Sequence, residues 1–233
     1  MANKFSSVVL VIGDMVEAIV QMGKWGVKLL GFALSVIIVL SIPFCGYYYS
    51  TSALRDVIEN ANDEMVRAIR VLAEQGNADA QYWLGYWYFE GKCVEQNYEE
   101  AVKYFRLSAD QGHAAGQVCL GLCYYLGEGV EQNYTEAVRL FRLSAEQGNS
   151  DGQFWLGECY LFGRGVEQNY AEAVKYFRLS AEQGNDAGQF GLGLCYENGF
   201  GVTKDQTEAV KYYRLSAAQN FQNAVDALRR LGL

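Results

Sequence analysis

An all-α solenoid of stacked helix-turn-helix repeats, preceded by an N-terminal membrane helix, is the fold class this sequence predicts. Three observations predict it. The stretch Asn149 to Gly184 recurs at an offset of 36 residues through nearly all of the chain beyond residue 76, and a period of that length marks an array that grows by stacking copies. The 233 residues hold 25 Gly against 1 Pro, as expected where many helices are stopped by glycine rather than by proline. Residues 29–49, LLGFALSVIIVLSIPFCGYYY, carry no charge and are long enough to cross hydrocarbon as a helix.

The anchor comes first in the chain. Pro43 falls near the end of the 29–49 run, and Tyr47, Tyr48 and Tyr49 suit the interfacial aromatic belt. Lys24 and Lys28 precede the run and Arg55, Arg67 and Arg70 follow it, so the charge rule leaves the side of the repeats open. In the segment 1–28, Asp14, Glu17, Gln21, Lys24 and Lys28 are spaced three, four, three and four, one polar stripe on an amphipathic helix in the membrane interface. A cleavable signal is the alternative, with a cut after Ala53, although the segment before the apolar run is long for one. Residues 50–76 read as a linker and a capping helix, with Ile69 and Gly76 in the register of Phe105 and Gly112.

Four repeats follow, 77–112, 113–148, 149–184 and 185–220. Leu84-Gly85, Leu120-Gly121, Leu156-Gly157 and Leu192-Gly193 recur in step, as do Tyr88, Tyr124, Tyr160 and Tyr196. These place a first helix in each unit, whose glycine admits a close neighbour. The second helix opens at Asn97, Asn133, Asn169 or Asp205, with Glu100, Glu136, Glu172 or Glu208 three residues on. That spacing predicts a reciprocal capping box. The buried face of the second helix is Tyr98, Ala101, Val102 and Phe105 or their equivalents, and Gly112, Gly148 and Gly184 end it. The glycines between the helices make a turn rather than a phosphate loop, since no strand precedes them. Residues 221–233 match a further first helix, with Arg229 where Gly193 stands, and the sequence predicts that this polar element closes the array.

The pattern L-G-x-x-Y-x-x-G-x-G-V, then A-x-x-x-F/Y, then S-A-x-Q-G, resembles the Sel-one-like repeat, a subclass of the tetratricopeptide superfamily. The resemblance covers residues 77–220. It departs at Cys93, in place of the second turn glycine, and at Asn220, in place of the closing glycine. It implies a right-handed α/α superhelix, and adaptors that assemble protein complexes, often at membranes. It also implies that the first helices line a concave side. That places Tyr82, Trp83, Tyr86 and Phe89 of the first unit on the inner surface, with Val118, Leu122, Tyr125 and Leu126 of the second. Phe154, Trp155, Leu161 and Phe162 of the third and Phe190 and Leu194 of the fourth complete it. These positions vary between copies while the packing positions do not. Such a groove suits an apolar peptide or an amphipathic helix of a protein client.

Other residues are read as structural. His113, the only histidine, stands where other units have Asn and reads as a helix start. Cys123, Cys159 and Cys195 recur in register and read as buried free thiols, and Cys119 with Cys123 lacks a second ligand pair for a metal. Arg106, Arg142 and Arg178 stand four residues before Asp110, Glu146 and Glu182, an arrangement for exposed ion pairs. The net charge of -8 argues against nucleic acid. No cofactor is expected, and neither a nucleophile with its base nor a metal set emerges, so the chain reads as no enzyme. Some members of the resembling family are linked with β-lactam hydrolysis, which commonly uses Ser-x-x-Lys; no serine here has lysine three residues on. The expectation is a single-pass membrane-anchored adaptor. The rival readings are an exported effector that binds its target elsewhere, and an N-terminal segment that mediates oligomerisation.

Overall fold

The computed structural model describes residues 51–233. The amphipathic segment and the membrane span expected at 1–49 lie outside them. Among the described residues no helix is long and apolar enough to cross a membrane.

The described chain is all helical: α1 (Thr51–Glu74), α2 (Ala78–Glu90), α3 (Tyr98–Asp110), α4 (Ala114–Leu126), α5 (Tyr134–Glu146), α6 (Ser150–Phe162), α7 (Tyr170–Glu182), α8 (Asp186–Asn198), α9 (Gln206–Ala217) and α10 (Gln222–Arg230). It falls into two compact parts, one ending at Leu84 and one running from Gly85 to Leu233. In the first part α1 is continuous from Thr51, so the stretch read as a linker is helical. Ile69 is buried and Gly76 takes a left-handed φ of +89°, the roles their register predicts.

In the second part each helix from α3 to α10 packs on the next, and the first helices α4, α6 and α8 also lie side by side. Phe105, Phe141, Phe177 and Tyr213 of the second helices are fully buried. Each ring packs against a glycine of the paired first helix. A Cβ at Gly85, Gly121, Gly157 or Gly193 would stand only 2.6–2.8 Å from the ring atoms. The recurring Leu-Gly pair is therefore a seat for the aromatic ring, and it is what lets the two helices of a repeat close on each other.

The caps depart from the predicted box. Asn97, Asn133 and Asn169 do accept from the amides of Glu100, Glu136 and Glu172. The amide N–H of each cap residue, however, donates to the carbonyl of Tyr88, Tyr124 or Tyr160 in the preceding helix, at 2.8–2.9 Å. With that donor already satisfied, the glutamate turns outward and pairs with Lys103, Arg139 or Lys175 three residues on. The arginines differ too. Arg106 and Arg142 donate to the hydroxyls of Tyr124 and Tyr160 in the next unit, at 2.8 and 3.2 Å, rather than to the acid four residues on.

His113 caps α4 as expected, its Nδ1 accepting from the Gly116 amide at 3.1 Å. Asn220, in the closing-glycine place, adopts φ +66°; asparagine is among the few residues that enter this region at small cost.

Candidate functional site

The first helices carry the candidate site. Position by position, Leu122, Glu158 and Leu194 occupy the same place on α4, α6 and α8, and Leu126, Phe162 and Asn198 the next turn. Leu126 and Phe162 are 50% and 51% exposed. Leu122, Trp155, Glu158 and Leu194 are half-buried beside them. Trp155 is held by rings on three sides, with centroids of Tyr125, Phe141 and Phe154 at 5.6, 5.9 and 5.1 Å.

Three residues expected on this surface are core. Val118, Tyr125 and Leu161 are 6%, 6% and 2% exposed. The position shared by Phe89, Tyr125 and Leu161 turns toward the second helix of its own repeat, and Tyr125 packs on Tyr134 and Phe141. Phe154 and Phe190 are half-buried and pack on Phe177 and Tyr213. Tyr86 and Phe89 are half-buried in the second part, Phe89 against Tyr98 and Phe105. Tyr82 and Trp83 belong to the part ending at Leu84, where Trp83 is 39% exposed and meets Tyr82 edge-on.

Charge is distributed unevenly. The helices α2, α4, α6 and α8 contain no Lys or Arg, whereas α3, α5, α7 and α9 each carry two. Arg164, in the turn after α6, lies beside the exposed Phe162. It donates to the Tyr125 hydroxyl, and its guanidinium lies 5.3 and 5.4 Å from the centroids of Tyr125 and Phe162. Burial raises the carboxyl of Glu158 above the usual carboxylate range, and Arg164 offsets that in part. Burial also pushes the thiols of Cys119, Cys123, Cys159 and Cys195 up to about 12. These thiols are neutral, and Cys123, Cys159 and Cys195 are inert core groups. Cys123, Cys159 and Cys195 are buried free thiols as predicted, while Cys93 is exposed. Among the described residues no group of His, Cys, Asp and Glu is arranged to hold a metal ion.

Sequence reasoning gave no role to a polar seam between the helices. Ser144, Ser180 and Ser216 are fully buried and donate to the carbonyls of Ala114, Ser150 and Asp186 at 2.8–2.9 Å. Gln147, Gln183 and Gln219 donate to the buried Gln117, Gln153 and Gln189 at 2.7–3.0 Å. The signal was the recurrence of Ser and Gln at helical positions that otherwise face the core.

The sequence matches the Sel1 repeat at residues 78–113, 114–149, 150–185 and 186–221. The chain belongs to the Sel1 repeat family. Repeats of this family generally serve protein–protein interaction. A crystal structure of a Sel1 repeat protein from Oxalobacter formigenes is similar, at 30% identity over 73% of this chain and 49% of that one, with a TM-score of 0.61. So is c5321, a protective antigen of uropathogenic Escherichia coli with an SLR fold, at 27% identity over 76% of this chain and 50% of that one, with a TM-score of 0.50. The chain thus spans about half the length of these two Sel1 repeat structures. A Sel1 repeat protein of Klebsiella pneumoniae, at 16% identity over 75% of this chain and 93% of that one, with a TM-score of 0.50, shares the fold. No curated protein matches the chain.

Proposed function

We propose that the chain is a membrane-anchored adaptor whose first-helix face binds a segment of a client protein, an apolar or amphipathic helix. The observation that carries this reading is the patch on α4, α6 and α8. There Leu126 and Phe162 stand half exposed, with Leu122, Trp155 and Leu194 half-buried around them. Large apolar side chains exposed together on a soluble surface mark an interaction site, and a helix laid across parallel helices meets such anchors at its own i, i+3, i+4 spacing. The membership of the Sel1 repeat family supports an interaction module. The uncharged run at 29–49 supports the anchor.

Co-purification from detergent-solubilised membranes tests the face. A Leu126→Ala, Phe162→Ala double variant with an unchanged circular dichroism spectrum is expected to lose a protein that the native chain recovers. Equal recovery by both removes the face from the reading. Extraction with alkaline carbonate tests the anchor: the native chain stays with the membrane pellet, whereas an exported effector leaves it.

A further inference from the structure

Glu158 is out of place on its surface. Its equivalents are Tyr86, Leu122 and Leu194, and it is half-buried as they are. The other half-buried acids on the first helices of the second part are already engaged. Glu197 accepts from the Tyr213 hydroxyl at 2.6 Å and from Arg230 at 2.7 Å. Asp186 accepts from the Ala187 amide at 2.7 Å. Glu158 makes no hydrogen bond or ion pair among the described residues, and only the charge of Arg164 acts on it from a distance. The Arg164 guanidinium is itself committed to the Tyr125 hydroxyl and the rings on either side.

Four groups among the described residues act on Glu158 or feel its charge. They are Tyr125 of α4, Cys159 of α6 itself, Cys195 of α8 and Arg164 of the turn. Burial holds the tyrosine and both thiols in their neutral forms. Glu158 is therefore the negative charge of a patch whose helices supply no cation. A carboxylate withdrawn from water without a partner costs free energy, which an incoming cation with good geometry recovers.

We propose that this face selects its client by charge: Glu158 receives a Lys or Arg side chain of the docked helix, while that helix covers Leu126 and Phe162 with its apolar residues. The proposal rests on the docking reading above and adds the chemistry of the occupant. Charge complementarity sets specificity more than raw affinity, so Glu158 discriminates among clients that the apolar anchors alone would accept. Acidification through the raised titration of Glu158 removes the discrimination and leaves the apolar contribution.

The test uses the full chain in nonionic detergent, with empty micelles as reference, and two fluorescein-labelled helical peptides of about 16 residues, long enough to hold helix. They share Leu and Phe on one face and differ only in a central Lys or Gln. The native chain is expected to bind the Lys peptide roughly tenfold more tightly than the Gln peptide, a difference of about 1.4 kcal/mol. On Glu158→Gln the two are expected to bind within about twofold of each other, and the native preference is expected to fade on acidification. Leu126→Ala with Phe162→Ala weakens both peptides alike. Equal binding of both peptides by the native chain, or a Lys preference that survives Glu158→Gln, overturns the charge assignment and leaves the docking face standing. Binding of neither peptide overturns both. Mass photometry reads the other occupant: a dimer split by the Leu126→Ala, Phe162→Ala variant puts a second copy on the face and overturns the client.

Discussion

On α5 the outward side chains include Glu136 and Arg139, joined to each other at 2.6 Å, and the exposed Leu143, which recurs as Leu107, Leu179 and Leu215. On α6, the next helix in the chain, the outward face carries Trp155, Glu158 and Phe162. The second helices repeat almost letter for letter, from Ala-Val near their start to Ser-Ala-x-Gln at their ends, and they use that constancy to bury an aromatic ring and seal the seam. The first helices keep in common the buried Gln, the Leu-Gly seat and the Tyr one turn beyond it, with Cys in three of the four, and vary elsewhere. Stacking identical copies needs one invariant interface, and the second helices supply it. That leaves the outer positions of the first helices, those of Leu122, Glu158 and Leu194 and of Leu126 and Phe162, free to differ, and variation with little packing consequence is what a recognition surface requires.

The comparison breaks most visibly at two phenylalanines. Phe141 of α5 is fully buried on Gly121 and beside Trp155, so Phe141→Ala leaves a cavity and is expected to cost about 3–5 kcal/mol. Phe162 of α6 is half exposed, and Phe162→Ala is expected to cost about 1 kcal/mol or less. Guanidinium denaturation followed by circular dichroism measures both. A loss at Phe162 as large as that at Phe141 means that the first-helix face is packing and not surface.

The same contrast explains what was legible beforehand. Phe141, Gly121 and His113 could be placed from the period alone, because each is fixed by contacts that repeat in every copy. The partner of Glu136 could not. Whether it caps Asn133 depends on the Tyr124 carbonyl, which the turn delivers to the Asn133 amide at 2.8 Å, and turn geometry is not written in helical spacing. Val118, Tyr125 and Leu161 were misplaced for a related reason. A 36-residue register says which residues are equivalent, not how each helix is rotated about its axis, and a quarter turn carries Tyr125 from the outer face onto Tyr134. The serine and glutamine seam went unread because polar residues are expected outside, and only their hydrogen bonds show why they stay in.

Two glycines sharpen the comparison at the turns. Gly165 has φ +71°, and a Cβ there would clash with the Tyr134 carbonyl, at the start of the second helix of the preceding unit. Gly148 has φ +81° with nothing within 4 Å of the position its Cβ would take. Gly148→Ala therefore tests backbone strain alone, about 1–2 kcal/mol. Gly165→Ala adds displacement of the neighbouring helix and is expected to cost roughly 2–4 kcal/mol. Equal losses in the denaturation midpoint mean that the turn does not brace one unit against the next. Cys93, at the equivalent turn position of the first unit, adopts φ +62°, so the position itself tolerates a side chain where space allows.

The smallest effect lies on the solvated exterior. Arg139 donates to both carboxylate oxygens of Glu136, at 2.6–3.0 Å, and this hydrogen bonding holds the Glu136 carboxyl below the usual carboxylate range. A carboxyl lowered in the folded chain contributes stability that is present above its unfolded titration and lost as pH falls through the folded one. Both partners are well hydrated, with side-chain exposures of 31% and 55%, so solvent screening keeps the pair to about 0.2–0.5 kcal/mol. Glu136→Gln is therefore expected to lower stability by that amount near neutral pH and by nothing measurable once the native carboxyl is protonated. A loss that persists in acid traces to packing or capping in place of charge. The outward face of the second helices would then be part of the structural frame, and the division of labour between the two helices of a repeat would fail at its weaker end.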